Sequence, residues 1–515
     1  MKKVILTGGM LLAFVAASYA QNTANLNQSG SYQTAVQDQT GINQVSTINQ
    51  GTGGGTNRGS SAATYQTGTA TNTATVNQNA GSQGNRGAVT QTGGSGNVGI
   101  VNQNGGALGT SGAATPPPGA NTGNPVGDGN LAGVAQTGNN NFGQTDQNNS
   151  SFRNSTEIWQ NGNNNSNTTT SQSNNSVRNK AEIFQGYTGR GMTAAPSSNN
   201  VAIVQQNGDG TALGQSADNT VRVQQLGSGQ NGRIYQNSVF FGDPGTGSAD
   251  NKATLSQSGT QQASEIYQTN GATFGTVTVT QSGLTNNSSV FQSSNTANNT
   301  ATMTQTGTSN RGTINQSFTV SGNTATINQS GATNRGIILQ NSTASGNTGT
   351  VTQSGTGGFA QVYQRFGSIN SVAEIKQSGT TNQAYIFEYR GTGDNVLIDQ
   401  LTTGASNLAI VYHGNGTPPA SSDRNTTTVK QRGDMNVTQF DGLGSDNVNT
   451  FTQTGKSNLI KGITGVSPFS TYAGQYGNSN TLTITQTSDP AGPGQTASVN
   501  QVGNFNTTVI TQSNN

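Results

Sequence analysis

Residues 323 to 340 read NTATINQSGATNRGIILQ, and this stretch decides the fold. In its first half Asn323, Ala325, Ile327 and Gln329 fall at alternate positions, with Thr324, Thr326 and Asn328 between them. Alternation of period 2 is the signature of a β-strand, because successive side chains point to opposite faces. The second half, Asn334 to Gln340, repeats the unit, and the Ser330-Gly331 pair between the halves supplies the positive φ that a tight reversal needs.

Working outward, the unit Asn-x-Ala-x-Val/Ile-x-Gln recurs through nearly the whole chain, most clearly between Asn251 and Glu388. Its closing residue is Gln257, Gln268, Gln281, Gln292, Gln305, Gln316, Gln329, Gln340, Gln353, Gln364 and Gln377, with separations that alternate 11 and 13. Two units therefore make one 24-residue repeat. Further units open at Asn22, Asn72, Asn179, Asn407, Asn447 and Asn506, roughly three dozen in all.

The face carrying Asn, Ala, Val/Ile and Gln is the buried one. Two successive strands with a short arc between them lay these faces together, and the next repeat stacks on top in parallel register. The predicted fold is all-β, a two-sheet parallel β-solenoid of strand-arc-strand repeats with cross-β spacing. One repeat buries too few Val and Ile side chains to offset the entropy of ordering its strands, so stacking must supply the difference. In the stack each buried amide donates to the identical amide one turn away, at ~4.7–4.8 Å between strands. The expected ladder includes the eleven glutamines above with Asn299, Asn310, Asn323, Asn334 and Asn347.

Composition narrows the function. Only 29% of residues are hydrophobic and 8% charged, Gly numbers 73, and there is no Cys, so neither an ordinary globular core nor a disulfide framework is available. Residues 1–20 read as a secretory signal peptide: Lys2 and Lys3, the apolar run Val4 to Val15, then small residues to Ala20. That run is too short for a membrane span. Of 21 Lys+Arg and 19 Asp+Glu, the leader holds two lysines, leaving the mature chain near neutrality. Little then drives it toward nucleic acid or anionic membrane, and little repels one copy from another. The solenoid is expected over residues 21–515, with irregular loops near 104–129, 207–218, 237–250, 414–424 and 465–479, where Gly, Pro, Ser and Thr break the repeat.

These units resemble the curlin repeat family, the fibre-forming subunits of bacterial curli, of which this would be an expanded, many-repeat member. The resemblance implies a structural subunit of extracellular functional amyloid that self-assembles for biofilm matrix, adhesion and cell aggregation. It also implies a curli-type outer-membrane secretion pore and a nucleator subunit as partners. Neither end reads as a cap, so Asn22, Leu26 and Gln28 at one end and Asn506, Ile510 and Gln512 at the other are expected to contact neighbouring copies.

No catalytic constellation, cofactor site or metal site is read. His413, the one histidine, and Glu388 stand in closing-Gln slots, where polar satisfaction is the simpler role. Glu157, Glu182, Glu265 and Glu374 are dispersed, with Glu157 and Glu182 expected as near neighbours. Trp159, Phe184, Tyr235, Tyr267, Phe291, Tyr363 and Phe387 are expected to point outward as a stacked row. Asn-Arg-Gly recurs at 57, 85, 310 and 334, and Arg432-Gly433-Asp434 spells an adhesion tripeptide that so Gly-rich a chain produces by chance. Outward threonines, Thr276/Thr278/Thr280, Thr300/Thr302/Thr304, Thr324/Thr326 and Thr348/Thr350/Thr352, offer the alternative of a monomeric solenoid binding ice or another surface; the row breaks at Lys252 and at Val372/Glu374/Lys376.

Overall fold

In the computed structural model the described residues are 2–7, 21–29, 33–51, 60–68, 70–79, 84–104, 129–148, 153–173, 176–187, 197–208, 216–237, 248–401, 404–414, 422–462 and 472–514. They form strands and arcs with no helix, in two compact units, residues 1–274 and 275–515. Each unit is a β-solenoid of two parallel sheets, as the alternation predicts.

The second unit shows the construction at its most regular. Its first sheet stacks Thr276–Gln281, Thr300–Gln305, Thr324–Gln329 and Thr348–Gln353 in parallel, each residue opposite its counterpart 24 positions on: Thr300 with Thr324, Met303 with Ile327, Gln305 with Gln329. Its second sheet stacks Asn287–Ser293, Arg311–Ser317, Arg335–Asn341 and Phe359–Arg365 in the same way. Between the sheets Met303, Ile314, Ile327, Ile338, Val351 and Val362 are fully buried. The apolar layer is one side chain deep from each sheet, which is why the unit needs only one Val, Ile or Met per strand.

In the first unit the corresponding sheets begin with Thr34–Gly41, Ser61–Gly68 and Arg86–Thr92, and with Thr23–Gln28, Val45–Gln50 and Thr73–Asn79. Lys2–Thr7 lies antiparallel along Thr34–Gly41, while residues 8–20 of the expected leader fall outside the described residues. Most of the expected loops do so as well: 105–128, 209–215, 238–247, 415–421 and 463–471. The reading of 465–479 as a loop meets a strand, Ala473–Tyr476. Leu459–Lys461 and Ala473–Tyr476 together pair along the one strand Val437–Ser445, so the chain leaves a rung after its first half and rejoins it for the second.

The arcs use positive φ more widely than the glycines suggest. Gly307 has φ of 92°, and a Cβ there would collide with the Gly331 carbonyl of the next turn. Yet Thr285, Ser309, Thr333, Thr381 and Ser406, each just before the unit's opening Asn, also lie near φ of 55°. A β-branched residue is strained there. The arcs hold it by stacking: Thr333 N donates to Thr308 O at 2.9 Å, and the Thr333 hydroxyl donates to Ala332 O at 2.8 Å.

Polar groups inside the stack are bonded turn to turn. Gln281 Nε2 donates to Gln305 Oε1 at 2.8 Å, Gln305 to Gln329 at 2.8 Å, Gln329 to Gln353 at 2.8 Å and Gln353 to Gln377 at 2.9 Å. On the facing sheet Gln292, Gln316, Gln340 and Gln364 run likewise. The second amide hydrogen crosses to the opposite strand, as Gln305 Nε2 does to Asn287 O at 2.9 Å. The amides thus tie turns together and also tie the two sheets.

The inward amides should therefore matter more than the outward hydroxyls of the same strands. Gln305→Ala, Gln329→Ala and Gln353→Ala combined should lower the urea midpoint of the soluble chain sharply, since each group left unsatisfied on burial costs ~1–3 kcal/mol. Thr302→Ala, Thr326→Ala and Thr350→Ala combined should leave the midpoint nearly unchanged. Equal midpoints for the two triple variants would show that the inward and outward faces are misassigned.

Candidate functional site

Three features of the solenoid can act on something else: the exposed end rungs, a cluster of buried ionisable groups, and the outward side-chain rows.

In the first unit, strand Thr23–Gln28 stacks on Val45–Gln50, and Leu26 and Gln28 are only half-buried although both occupy inward slots. Gln28 Nε2 donates to Gln50 Oε1 at 2.5 Å, and Asn22 Oδ1 accepts the Gln44 backbone N–H at 2.9 Å. In the second unit, Thr507–Ser513 stacks on Thr481–Thr487, and its inward Thr508, Ile510 and Gln512 are again half-buried. Gln512 Oε1 accepts from Gln486 at 2.8 Å and its Nε2 donates to Thr496 O at 3.0 Å, while Asn506 N donates to Asn480 Oδ1 at 2.9 Å. Val502, Phe505 and Val509 stand out into solvent on this last turn, at 70%, 81% and 66% exposure.

The asparagines are bonded differently from the glutamines. Asn310 Oδ1 accepts the backbone N–H of Asn334 at 3.0 Å, and Asn323 Oδ1 that of Asn347 at 2.8 Å. Asn299 Oδ1 accepts from Asn323 N at 2.9 Å, and Asn334 Oδ1 from Gly358 N at 2.9 Å. Their amide hydrogens close the arcs, as in Asn310 Nδ2 to Thr306 O at 2.7 Å and Asn347 Nδ2 to Ser368 O at 2.7 Å. Each Asn is a turn clamp, set one residue after the left-handed position.

In the second unit the glutamine chain of the second sheet runs into ionisable groups. Gln364 Nε2 donates to Glu388 Oε2 at 2.8 Å, and the next slots hold His413 and then Gly442. Glu388, His413 and Asp394 are buried. His413 does not continue the chain of amides: its Nε2 pairs with the Thr427 hydroxyl at 2.8 Å and its Nδ1 lies 3.7 Å from Asp394 Oδ2. Asp394 takes an Asn slot and accepts from Asn425 N at 2.8 Å and from the Ser422 hydroxyl at 2.5 Å. Serine, histidine and aspartate meet here, but the serine donates to the carboxylate and all three are sealed from solvent, so no nucleophile is presented. Burial, reinforced by the nearby Asp394 charge, holds the Glu388 carboxyl well above the usual range, and burial pushes Asp441 up to about 7.

The outward rows carry the remaining residues. Tyr235 stacks on Tyr267 with centroids 4.9 Å apart, Tyr363 lies 5.1 Å from Phe387, and Phe387 stacks on Tyr412 at 4.5 Å. Trp159 and Phe184 depart from the outward expectation in exposure: they leave the outer face of their sheet but are 7% and 1% exposed, with Ala135 and Tyr187 packed against them. Glu157 and Glu182 are register neighbours. Neither is poised for chemistry, since Glu157 accepts from Trp159 Nε1 at 3.3 Å and Glu182 is paired with Lys180 at 2.8 Å. Arg311 and Arg335 stack in register, the latter 5.4 Å over the Phe359 ring. Both charges of Arg432-Gly433-Asp434 are engaged within the chain, Arg432 with Asp399 at 2.7 Å and Asp434 with Ala405 N at 2.8 Å. Sequence reasoning missed an outer ladder in the first unit, Asn49 to Asn77 to Asn102 to Asp146, at 2.9, 2.8 and 2.7 Å. Its signal was the Asn at the sixth position of successive units.

Glu388 and Asp441 bind a proton more tightly folded than unfolded. Their stabilising contribution is therefore whole below the ordinary carboxyl range near pH ~4 and falls as pH rises toward their folded values, near 7 for Asp441. The urea midpoint should drop between pH 5 and pH 8, and the drop should shrink when Glu388→Gln and Asp441→Asn are combined. Each pH unit between folded and unfolded titration is worth about 1.4 kcal/mol. An identical pH dependence in the double variant would place the titration elsewhere.

Comparison with known proteins bears on the regular part of the chain. No curated protein matches it, and no helix among the described residues is long and apolar enough to cross a membrane. Residues 276–307 and 321–355 match the family model of the curlin associated repeat. These are the turns in which strand pairs and glutamine bonds recur at intervals of 24, so the second unit carries two stretches similar to the curlin associated repeat.

Proposed function

We propose that the chain is a structural subunit of a secreted, curli-like extracellular fibre, assembling end to end and serving biofilm matrix, adhesion and cell aggregation rather than catalysis. The carrying observation is the pair of unfinished end rungs, whose inward Leu26, Gln28, Ile510 and Gln512 remain half-exposed. A sheet edge offers unpaired N–H and C=O groups to any strand of matching register.

The two ends match in the order of their sheets. The first parallel strand of the first unit is the second-sheet Thr23–Gln28, and the last turn of the second unit comprises the second-sheet strands Thr496–Ser498 and Asn500–Val502 followed by the first-sheet strand Thr507–Ser513. A following copy would set Leu26 on Val499, Gln28 on Gln501 and Gln39 on Gln512, continuing both glutamine ladders. In this reading, removal of residues 1–20 during export clears Lys2–Thr7 from the edge of Thr34–Gly41. The resemblance supplies the remaining partners, a curli-type outer-membrane pore and a nucleator subunit, with no cofactor.

Mature chain released from denaturant should form fibres with a meridional reflection near ~4.7–4.8 Å. Leu26→Lys with Ile510→Lys should abolish seeded elongation while leaving folded soluble protein, because each junction would bury uncompensated charge. Ile327→Lys, in a fully buried slot, should instead damage folding. Undiminished elongation by the terminal double variant would point to lateral packing and overturn the end-to-end reading.

A further inference from the structure

We propose that the outer face of the first sheet in the second unit, over strands Thr276–Gln281 to Thr348–Gln353, binds a crystalline lattice of water. The inference is independent of fibre assembly and applies to the soluble chain and the fibre alike.

Strand pairing turns the threonines into a grid. Thr276, Thr300, Thr324 and Thr348 are register neighbours, as are Thr278, Thr302, Thr326 and Thr350. The third row is Thr280, Thr304, Asn328 and Thr352. All positions of the grid reach solvent. Neighbours repeat at ~4.7–4.9 Å across strands and ~6.6–6.8 Å along them. Among the described residues, none of these threonine hydroxyls has a protein partner, whereas the threonine hydroxyls in the arcs, such as those of Thr285 and Thr333, do.

Threonine favours strands, so strand propensity alone could fill such positions. The same turns contain the control. The facing sheet has the same strand geometry, parallel pairing and one-sided burial, yet its outward positions hold Arg311, Thr313 and Asn315 on one strand and Phe359, Gln361 and Tyr363 on another. The fold accepts varied outward residues, and the uniformity of one face calls for a cause outside the fold.

The chemistry selects the partner. The grid carries no charge and ends at the Glu374–Lys376 ion pair of the next strand, 2.9 Å long. An anionic membrane or nucleic acid would be met by cations, and a protein hot spot by aromatic or Arg anchors. A second copy packed dry against the face would strip water from every hydroxyl without replacing its hydrogen bonds. A periodic, neutral, flat partner that itself donates and accepts hydrogen bonds satisfies each hydroxyl while the methyl groups lie between, and ice is such a solid.

The test uses the mature chain and three variants: Thr302→Tyr with Thr326→Tyr on the grid, Thr313→Tyr on the facing sheet, and the terminal Leu26→Lys with Ile510→Lys. Each is partitioned into slowly grown ice and assayed for thermal hysteresis, with circular dichroism reporting the fold. Wild type, the facing-sheet variant and the soluble terminal variant should enter the ice, and the grid variant should be excluded with an unchanged spectrum. Exclusion of the folded wild-type chain from ice would overturn the proposal, as would equal partition of wild type and grid variant. If the grid variant altered only the lateral bundling of fibres, the face would be a contact between copies and the ice proposal would fall. Loss of fibre growth in the terminal variant with ice partition retained would leave the two readings separately decided.

Discussion

A glutamine side chain buried between two sheets brings two N–H donors and a carbonyl acceptor into a place without water, and an unpaired one would be costly. Its counterpart on the next turn can satisfy it only if that turn arrives in parallel and in exact register, so the ladder dictates sheet direction, pairing and the height of every rung. The sequence separation between partners ranges from 22 residues, Gln431 to Gln453, to 45, Gln91 to Gln136, yet the amide bonds are 2.9 and 2.8 Å. Extra residues fall between strands in sequence because the rungs tolerate none. Even the insertion between Lys461 and Ala473 leaves its rung intact on both sides.

Much of this was legible because the constraint is periodic. Alternation assigned Ile327 inward and Thr326 outward, and the 11 and 13 spacing of Gln305, Gln316 and Gln329 gave the strand-arc-strand repeat. What was not legible depends on contacts that spacing does not encode. Thr333 in the left-handed region reads as a poor turn residue until the backbone bond to the turn below is counted. Trp159 and Phe184 alternate outward, yet Ala135 and Tyr187 pack with them and Arg222 lies 5.2 Å over the Phe184 ring, contacts that spacing does not announce. His413 has the right slot and the wrong partner, because Thr427 on the facing sheet offers a hydroxyl within reach.

The ionisable substitutions in the second unit follow the same logic. A protonated carboxyl has nearly the shape of the Gln amide and can still accept the bond from Gln364, so Glu388 fits the slot as a neutral acid. Burial favours that form, and the neighbouring Asp394 adds to the preference. The interior of the stack is thus neutral in its amides and acquires a proton dependence where Glu388 replaces one.

The glutamine ladders also have a direction. In the glutamine-to-glutamine bonds described above the amide donates toward the C-terminal side, as Gln28 does to Gln50 in the first unit and Gln486 to Gln512 in the second. A cut between two glutamine rungs of either unit therefore exposes side-chain carbonyl oxygens on one surface and side-chain N–H groups on the other. Two surfaces of the same kind would oppose acceptor to acceptor or donor to donor, whereas unlike surfaces bond across the gap. Each unit is thus chemically polar along its stack, and the polarity suits the open-ended joining proposed above better than a closed two-fold pair.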